Sequence, residues 1–188
     1  MQQEGRWAYL KENPEVCDQA ATLSHISHVA CLARSGFEQA WPVWRALFGA
    51  PSGDAPSFQA CVPSSIALCN ILQRQAPEYS WQIRGGRPTS RTPQGGYLDD
   101  SGQANPHLWV EGKRRGQRPV IIDVTADQFS GGPPVVVQFG PSHRHRANAT
   151  QCLLDSYRDS QHASVELFEY AVDELARTVE NKNSGKRG

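Results

Sequence analysis

The sequence predicts an α+β domain. Three observations carry that expectation: helical apolar periods near both ends of the chain, an uncharged helical run that opens at Cys61, and a set of alternating segments between them that read as strands. From Pro14 to Ala33 the residues Val16, Ala20, Leu23, Ile26, Ala30 and Ala33 recur at helical spacing, and a second short helix is expected over Gln39 to Phe48. The Gly, Pro and Ser content of GAPSGDAPS, Gly49 to Ser57, marks a loop that delivers the chain to Cys61. A helix follows from Val62 to Gln75, with no charge before Arg74. Tyr79 to Arg84 (YSWQIR), HLWV from His107, PVIIDVT from Pro119 and PPVVVQF have the apolar and β-branched content of strands. The segment from Gly85 to Asn105 carries almost no apolar residue and reads as a long functional loop or lid. Cys152 to Asn181 then holds a helical pattern through Leu153, Tyr157, Val165, Phe168, Val172, Leu175 and Val179.

The chain has 188 residues, 38% of them apolar, and a formal charge of zero. A single domain over residues 1–180 with a polar tail at 181–188 is expected. No electrostatic footprint argues for nucleic acid or an anionic membrane as partner, and no run approaches the ~18 apolar residues of a membrane span. The start, MQQEGRWAYLKENPE, lacks the basic-then-apolar order of a secretory signal, and five cysteines without paired spacing suit a reducing compartment. A cytoplasmic protein is therefore the expectation, with export by a signal-less route left open.

FQACVPSSIALCNIL, Phe58 to Leu72, places a thiol at the head of a buried helix. Unpaired N–H groups and the positive end of the helix dipole favour negative charge there, and Pro63 belongs in a first turn. A free cysteine taken alone is most often simply core. The hairpin changes that weighting. If its strands pair symmetrically about Arg115, His107 faces Asp123, Trp109 faces Ile121 and Glu111 faces Pro119, with opposed Cβ atoms roughly 5 Å apart. Asp123 could then orient the His107 imidazole, and with Cys61 the three make a nucleophile, a base and an orienter.

The cysteine helix, the histidine strand NPHLWVEG and the segment IIDVTADQF resemble the papain-like and transglutaminase-like superfamily of Cys-His-Asp enzymes, above all small bacterial transglutaminase-like domains. The resemblance covers Phe58 to Phe129. It implies a central helix bearing the cysteine packed on an antiparallel sheet, with Cys61 as nucleophile, His107 as general base and acid and Asp123 as orienter. It implies no cofactor, and as partner a protein or peptide substrate offering a peptide bond or an amide side chain. Peptidases, deamidases, transglutaminases, leader-peptide proteases and catalytically silent relatives all fall within such a likeness. Papain-type peptidases carry an oxyanion glutamine several residues before the cysteine; the near candidate in this chain is Gln59, two residues before Cys61. The Cys61 backbone N–H is the first expected donor and Gln59 the second, although Gln59 is equally placed to be an exposed loop residue.

Trp109, beside His107 on one strand face, is either core or a wall of the substrate pocket. Asp127 is a second acidic candidate, but its place at the strand end suits a cap or turn. Cys17, Cys31 and Cys152 fall within helical apolar patterns and are expected in the core. The pairs His25/His28 and His143/His145 have no cysteine or carboxylate at ligand spacing, so no metal site is expected.

Overall fold

A computed structural model describes residues 14–184 apart from 51, 52 and 54, with the side chains of 14–20, 183 and 184 also outside it. The first residues of the chain, the Cys17 thiol and the last four residues of the expected tail thus lie outside the described part. The architecture is mixed α+β, with four α-helices and two antiparallel sheets among the described residues.

The first helix, α1 (Pro14–Phe48), is continuous where two helices were expected. Ser35-Gly36 looks like a break but is a crossing point. A Cβ on Gly36 would lie 2.7 Å from Val172 Cγ2 and 2.9 Å from its Cα, so the missing side chain lets the C-terminal helix pass close. That C-terminal pattern is itself two helices, α3 (Gln151–Ser160) and α4 (His162–Ser184), the second running past the expected start of the tail. Thr150 opens α3 by accepting a hydrogen bond from the Leu153 N–H.

Between them lies α2 (Cys61–Gln75), buried from Pro63 to Cys69 and again at Ile71 and Leu72. It is enclosed by Ile26, Phe37 and Trp41 of α1, Val165 and Phe168 of α4, and one face of the main sheet. His25 of α1 meets the last turn of α2 through the Gln75 carbonyl, 2.9 Å from its Nε2. Cys31 and Cys152, expected in the core, are exposed. On α1 the buried stripe runs through Ile26, Ala30, Ala33 and Phe37, and Cys31 sits one step off it; on α3 only Leu154 is buried.

The main sheet has the order β1 (Ser80–Gly86), β4 (His107–Lys113), β5 (Val120–Asp123), β6 (Val136–Phe139), all antiparallel. Its hairpin register differs from the expected one by two residues: Val110 pairs with Ile122, Glu111 with Ile121 and Gly112 with Val120. The turn is centred on Gly116 instead of Arg115, because Gly116 takes the positive φ of 78° that the turn needs. A shift of two keeps every side chain on its face. Ile83, Leu108, Val110 and Ile122 face α2, while His107, Trp109 and Asp123 lie on the other side.

The segment after β1, expected to be a loop without apolar anchors, folds into a second sheet. It contains β2 (Gly96–Leu98) and β3 (Ala104–Asn105), and β2 pairs on its other edge with β7 (His145–Arg146). Its polar residues close turns. Asp99 accepts from the N–H groups of Ser101 and Gln103, and Asn148 bridges the Arg87 backbone through both its carbonyl and its amide. Tyr97, fully buried, is the apolar anchor. No helix among the described residues is long and apolar enough to cross a membrane.

Candidate active site

Cys61 is the first residue of α2, and the residue before it, Ala60, has no side chain with which to cap the helix. The Cys61 and Val62 N–H groups therefore lack both an intrahelical acceptor and a capping side-chain oxygen, and the first bond of the helix runs from the Ser64 N–H to the Ala60 carbonyl at 3.0 Å. Two serines in the same turn fix where the tip lies. Ser64 Oγ meets the Trp41 indole N–H at 3.3 Å, and Ser65 Oγ donates to the Leu108 carbonyl at 3.0 Å. The second bond ties the helix tip to the start of β4, which brings the half-buried Cys61 thiol within interaction range of the His107 ring.

His107 and Asp123 are each 1% exposed, and His107 Nε2 stands 2.7 Å from Asp123 Oδ2. They are not ladder partners. Continuing the observed register by one pair sets Asp123 opposite Trp109, so His107 reaches the carboxylate along the diagonal, within range for a long side chain. With Nε2 committed to Asp123, Nδ1 is the nitrogen left to face the thiol. The other carboxylate oxygen, Oδ1, accepts from the Thr125 N–H at 2.9 Å and its hydroxyl at 3.2 Å. Burial works against a charged imidazole, but the adjacent carboxylate, with a smaller contribution from Cys61, holds His107 up to about 10. Burial likewise works against a charged Asp123, and His107 followed by His145 keeps it well below the usual carboxylate range.

His145 is the residue that sequence reasoning missed. Its Nε2 lies 3.0 Å from the same Asp123 Oδ2, and its side chain is 2% exposed. The carboxylate it lacked in sequence is supplied by the fold. His107, Asp123 and His145 thus bring ligand-type atoms within 4.8 Å of one another. Their 2.7 and 3.0 Å separations are those of N–H···O hydrogen bonds, and are shorter than the roughly 3.3 Å that two ligands at ~2.0 Å keep on a tetrahedral ion. Aromatic rings wall the group. Tyr97 meets His107 and His145 edge-on at 5.6 and 5.2 Å, Phe129 meets His107 at 4.9 Å, and Trp109 meets His145 at 5.0 Å. Trp109 is 2% exposed, and its buried Nε1 has no partner among the described residues, which makes it a wall behind the imidazoles.

No family model, no curated protein and no solved structure matches this chain. The chemistry of the site therefore rests on its geometry.

Asp127 is engaged away from the His107 ring. Its carboxylate takes Arg34 NH1 at 2.8 Å and NH2 at 2.7 Å and also accepts from the Ser57 hydroxyl, which pins the 3-10 turn Ala126–Gln128 to α1 and to the loop before Cys61. Gln59 is exposed, with a left-handed φ of 57° that costs a non-glycine residue on the order of 1 kcal/mol. Its backbone N–H donates to Gln128 Oε1 at 3.3 Å. The amide that borders the imidazole is that of Gln128, whose Nε2 donates to the Thr125 carbonyl at 2.8 Å and lies 3.5 Å from His107 Nδ1. Gln128 and Phe129 also line a cleft of about 520 Å³ with Ala55, Pro56, Phe58, Asp127 and Ser130. Because Arg34 neutralises Asp127, this cleft beside the imidazole is apolar and hydrogen-bonding in character.

Proposed function

We propose that this chain is a cysteine-nucleophile amide hydrolase with a papain-like or transglutaminase-like core. Cys61 is the nucleophile, His107 the general base and acid, and Asp123 the orienter. The observation that carries the reading is the buried 2.7 Å contact between His107 and Asp123, with the Cys61 thiol beside the same ring at an uncapped helix tip.

His107 takes the thiol proton at Nδ1 while Asp123 holds Nε2–H and compensates the imidazolium. The sulfur attacks the carbonyl carbon of a substrate amide, and the oxyanion is met by the Cys61 N–H and by the second amide hydrogen of Gln128, in place of the Gln59 side chain. The tetrahedral intermediate collapses as His107 gives its proton to the leaving amine. Water then attacks the thioester, losing a proton to His107, and the thiol is restored. The cleft lined by Pro56, Phe58 and Phe129 supports a peptide segment with an uncharged side chain next to the scissile bond. Transfer to an amine, as in transglutaminases, would need an acceptor site on the same cleft.

The test is trapping followed by turnover. A peptide aldehyde or vinyl sulfone should add to Cys61 in the wild-type protein, read by intact mass and peptide mapping, and fail to add in His107→Ala. A panel of peptide and glutamine-amide substrates then separates peptidase from deamidase. A folded protein whose Cys61 resists both probes would instead be a catalytically silent domain.

A further inference from the structure

Asp123 accepts from a second imidazole that the proposed chemistry does not use. Its four lone-pair positions are filled by the Thr125 N–H and hydroxyl on Oδ1 and by two imidazoles on Oδ2. The second imidazole has a defined tautomer. Ser142 Oγ accepts from the N–H groups of Arg144 and His145 at 3.2 and 3.3 Å, which leaves its own hydrogen for His145 Nδ1, 2.9 Å away. Nδ1 is therefore an acceptor, and Nε2 carries the N–H that donates to Asp123. Both ring nitrogens of His145 thus have a hydrogen-bond partner.

We infer that His145 is a second positioning residue of this site, sharing one carboxylate oxygen of Asp123 with His107 and so limiting how firmly that carboxylate holds the His107 ring. Two donors on one oxygen compete for its electron density. A carboxylate that lost one of them would bind the remaining imidazolium harder and release its proton later. In turnover this matters because His107 must both take a proton and give it up. The inference rests on the cysteine-enzyme reading for its role in turnover, whereas its effect on His107 stands without it. The other ionisable groups around the pair are Cys61 at the tip of α2, Tyr97 of β2 with the Arg144 guanidinium 5.9 Å over its ring, and Arg84 of β1, cross-strand from Trp109. None of them offers Asp123 a substitute for the His145 N–H.

The experiment is a pH titration of the histidine rings by nitrogen-edited NMR on the whole chain. In His145→Phe, which keeps a ring between Tyr97 and Trp109, the His107 midpoint should rise by about half a pH unit or more, roughly threefold in its protonation constant. His145→Gln returns an N–H to the same place and should restore the wild-type midpoint. Ser142→Ala, at a half-buried position, loosens His145 and should give a smaller rise. If His145→Phe fails to fold, Ser142→Ala decides alone. A midpoint unchanged or lowered in a variant that melts cooperatively overturns the inference, since a ring that only fills space would alter melting and leave His107 alone. The alkaline limb of Cys61 alkylation should move upward with the midpoint. An inert Cys61 would sink the proposed function, while the His107 midpoint would still decide the role of His145.

Discussion

The Asp127 carboxylate takes the Arg34 guanidinium with both oxygens, at 2.8 and 2.7 Å, and this pair joins the longest helix to the two segments that flank the Cys61 thiol. Arg34 is 5% exposed and also donates to the Val124 carbonyl at 2.8 Å, one residue past Asp123. Removing the cation leaves a half-buried carboxylate with only the Ser57 hydroxyl to meet its charge and takes the guanidinium donor from the buried Val124 carbonyl. Arg34→Met should therefore cost about 3–5 kcal/mol in urea unfolding. Asp127→Asn should also destabilise, yet whatever protein folds should retain its Cys61 chemistry; a stable but inert Asp127→Asn would transfer the orienting role to Asp127.

Asp123→Asn keeps the shape of the proposed orienter and removes its charge. The fold should persist and turnover should fall by about four orders of magnitude, as in serine triads with the same change. Cys61→Ala and His107→Ala should each abolish acyl-enzyme formation, with the double variant no worse than either single one. Additive losses would show that the residues do not work as one device.

The same pair makes stability depend on pH in both directions. His107 is raised in the folded state from its ordinary 6.5 to about 10, so its contribution is complete below 6.5 and is lost as pH climbs towards 10. Asp123 is lowered from 3.8, so its contribution is present above that value and is lost as pH falls below it. Thermal midpoints should be highest between about pH 4.5 and 6 and decline on either side. In Asp123→Asn the decline between pH 6.5 and 10 should flatten; an equally steep alkaline decline in that variant would assign it to other groups.

Cysteine alkylation offers a contrast internal to the molecule. Burial pushes the Cys69 thiol up to about 11, and Cys31 and Cys152 are exposed on helix faces. On the proposed assignment, half-buried Cys61 should nevertheless react with iodoacetamide at neutral pH well ahead of the two exposed thiols, because it lies beside the His107 ring at an uncapped helix tip. Labelling that simply follows exposure would contradict the assignment.

Gly36 is a test of the helix crossing. Gly36→Ala places a methyl against the Val172 backbone and should cost about 1–3 kcal/mol in spite of alanine's better helix propensity, measured by chemical unfolding. A stabilised variant would show that α4 does not approach there.

The parts of this molecule legible in its sequence are those whose partners are near or whose burial is complete. The uncharged run after Cys61 announces a buried helix, and the hairpin around Gly116 announces itself by alternation. Symmetry about Arg115 puts the register two residues off, because the turn centres on the residue able to take a positive φ; the side-chain faces survive, since a two-residue slip preserves them. Asp99, Asn105 and Asn148 resemble linker residues in composition, and what they do is close turns, which cannot be told from disorder without knowing their acceptors. His145 gives no signal because its carboxylate lies 22 positions away in the chain, on a different sheet.

Tyr97 and His145, cross-strand neighbours in the small sheet, form the lid that keeps water from the Asp123 carboxylate. Without that lid the His107 and Asp123 pair would sit in a medium of high dielectric constant, where the same charges attract several-fold less. The last short strand thus acts as an insulator: it adds nothing to the main sheet's ladder, yet it supplies the low-dielectric medium that strengthens the coupling between His107 and Asp123.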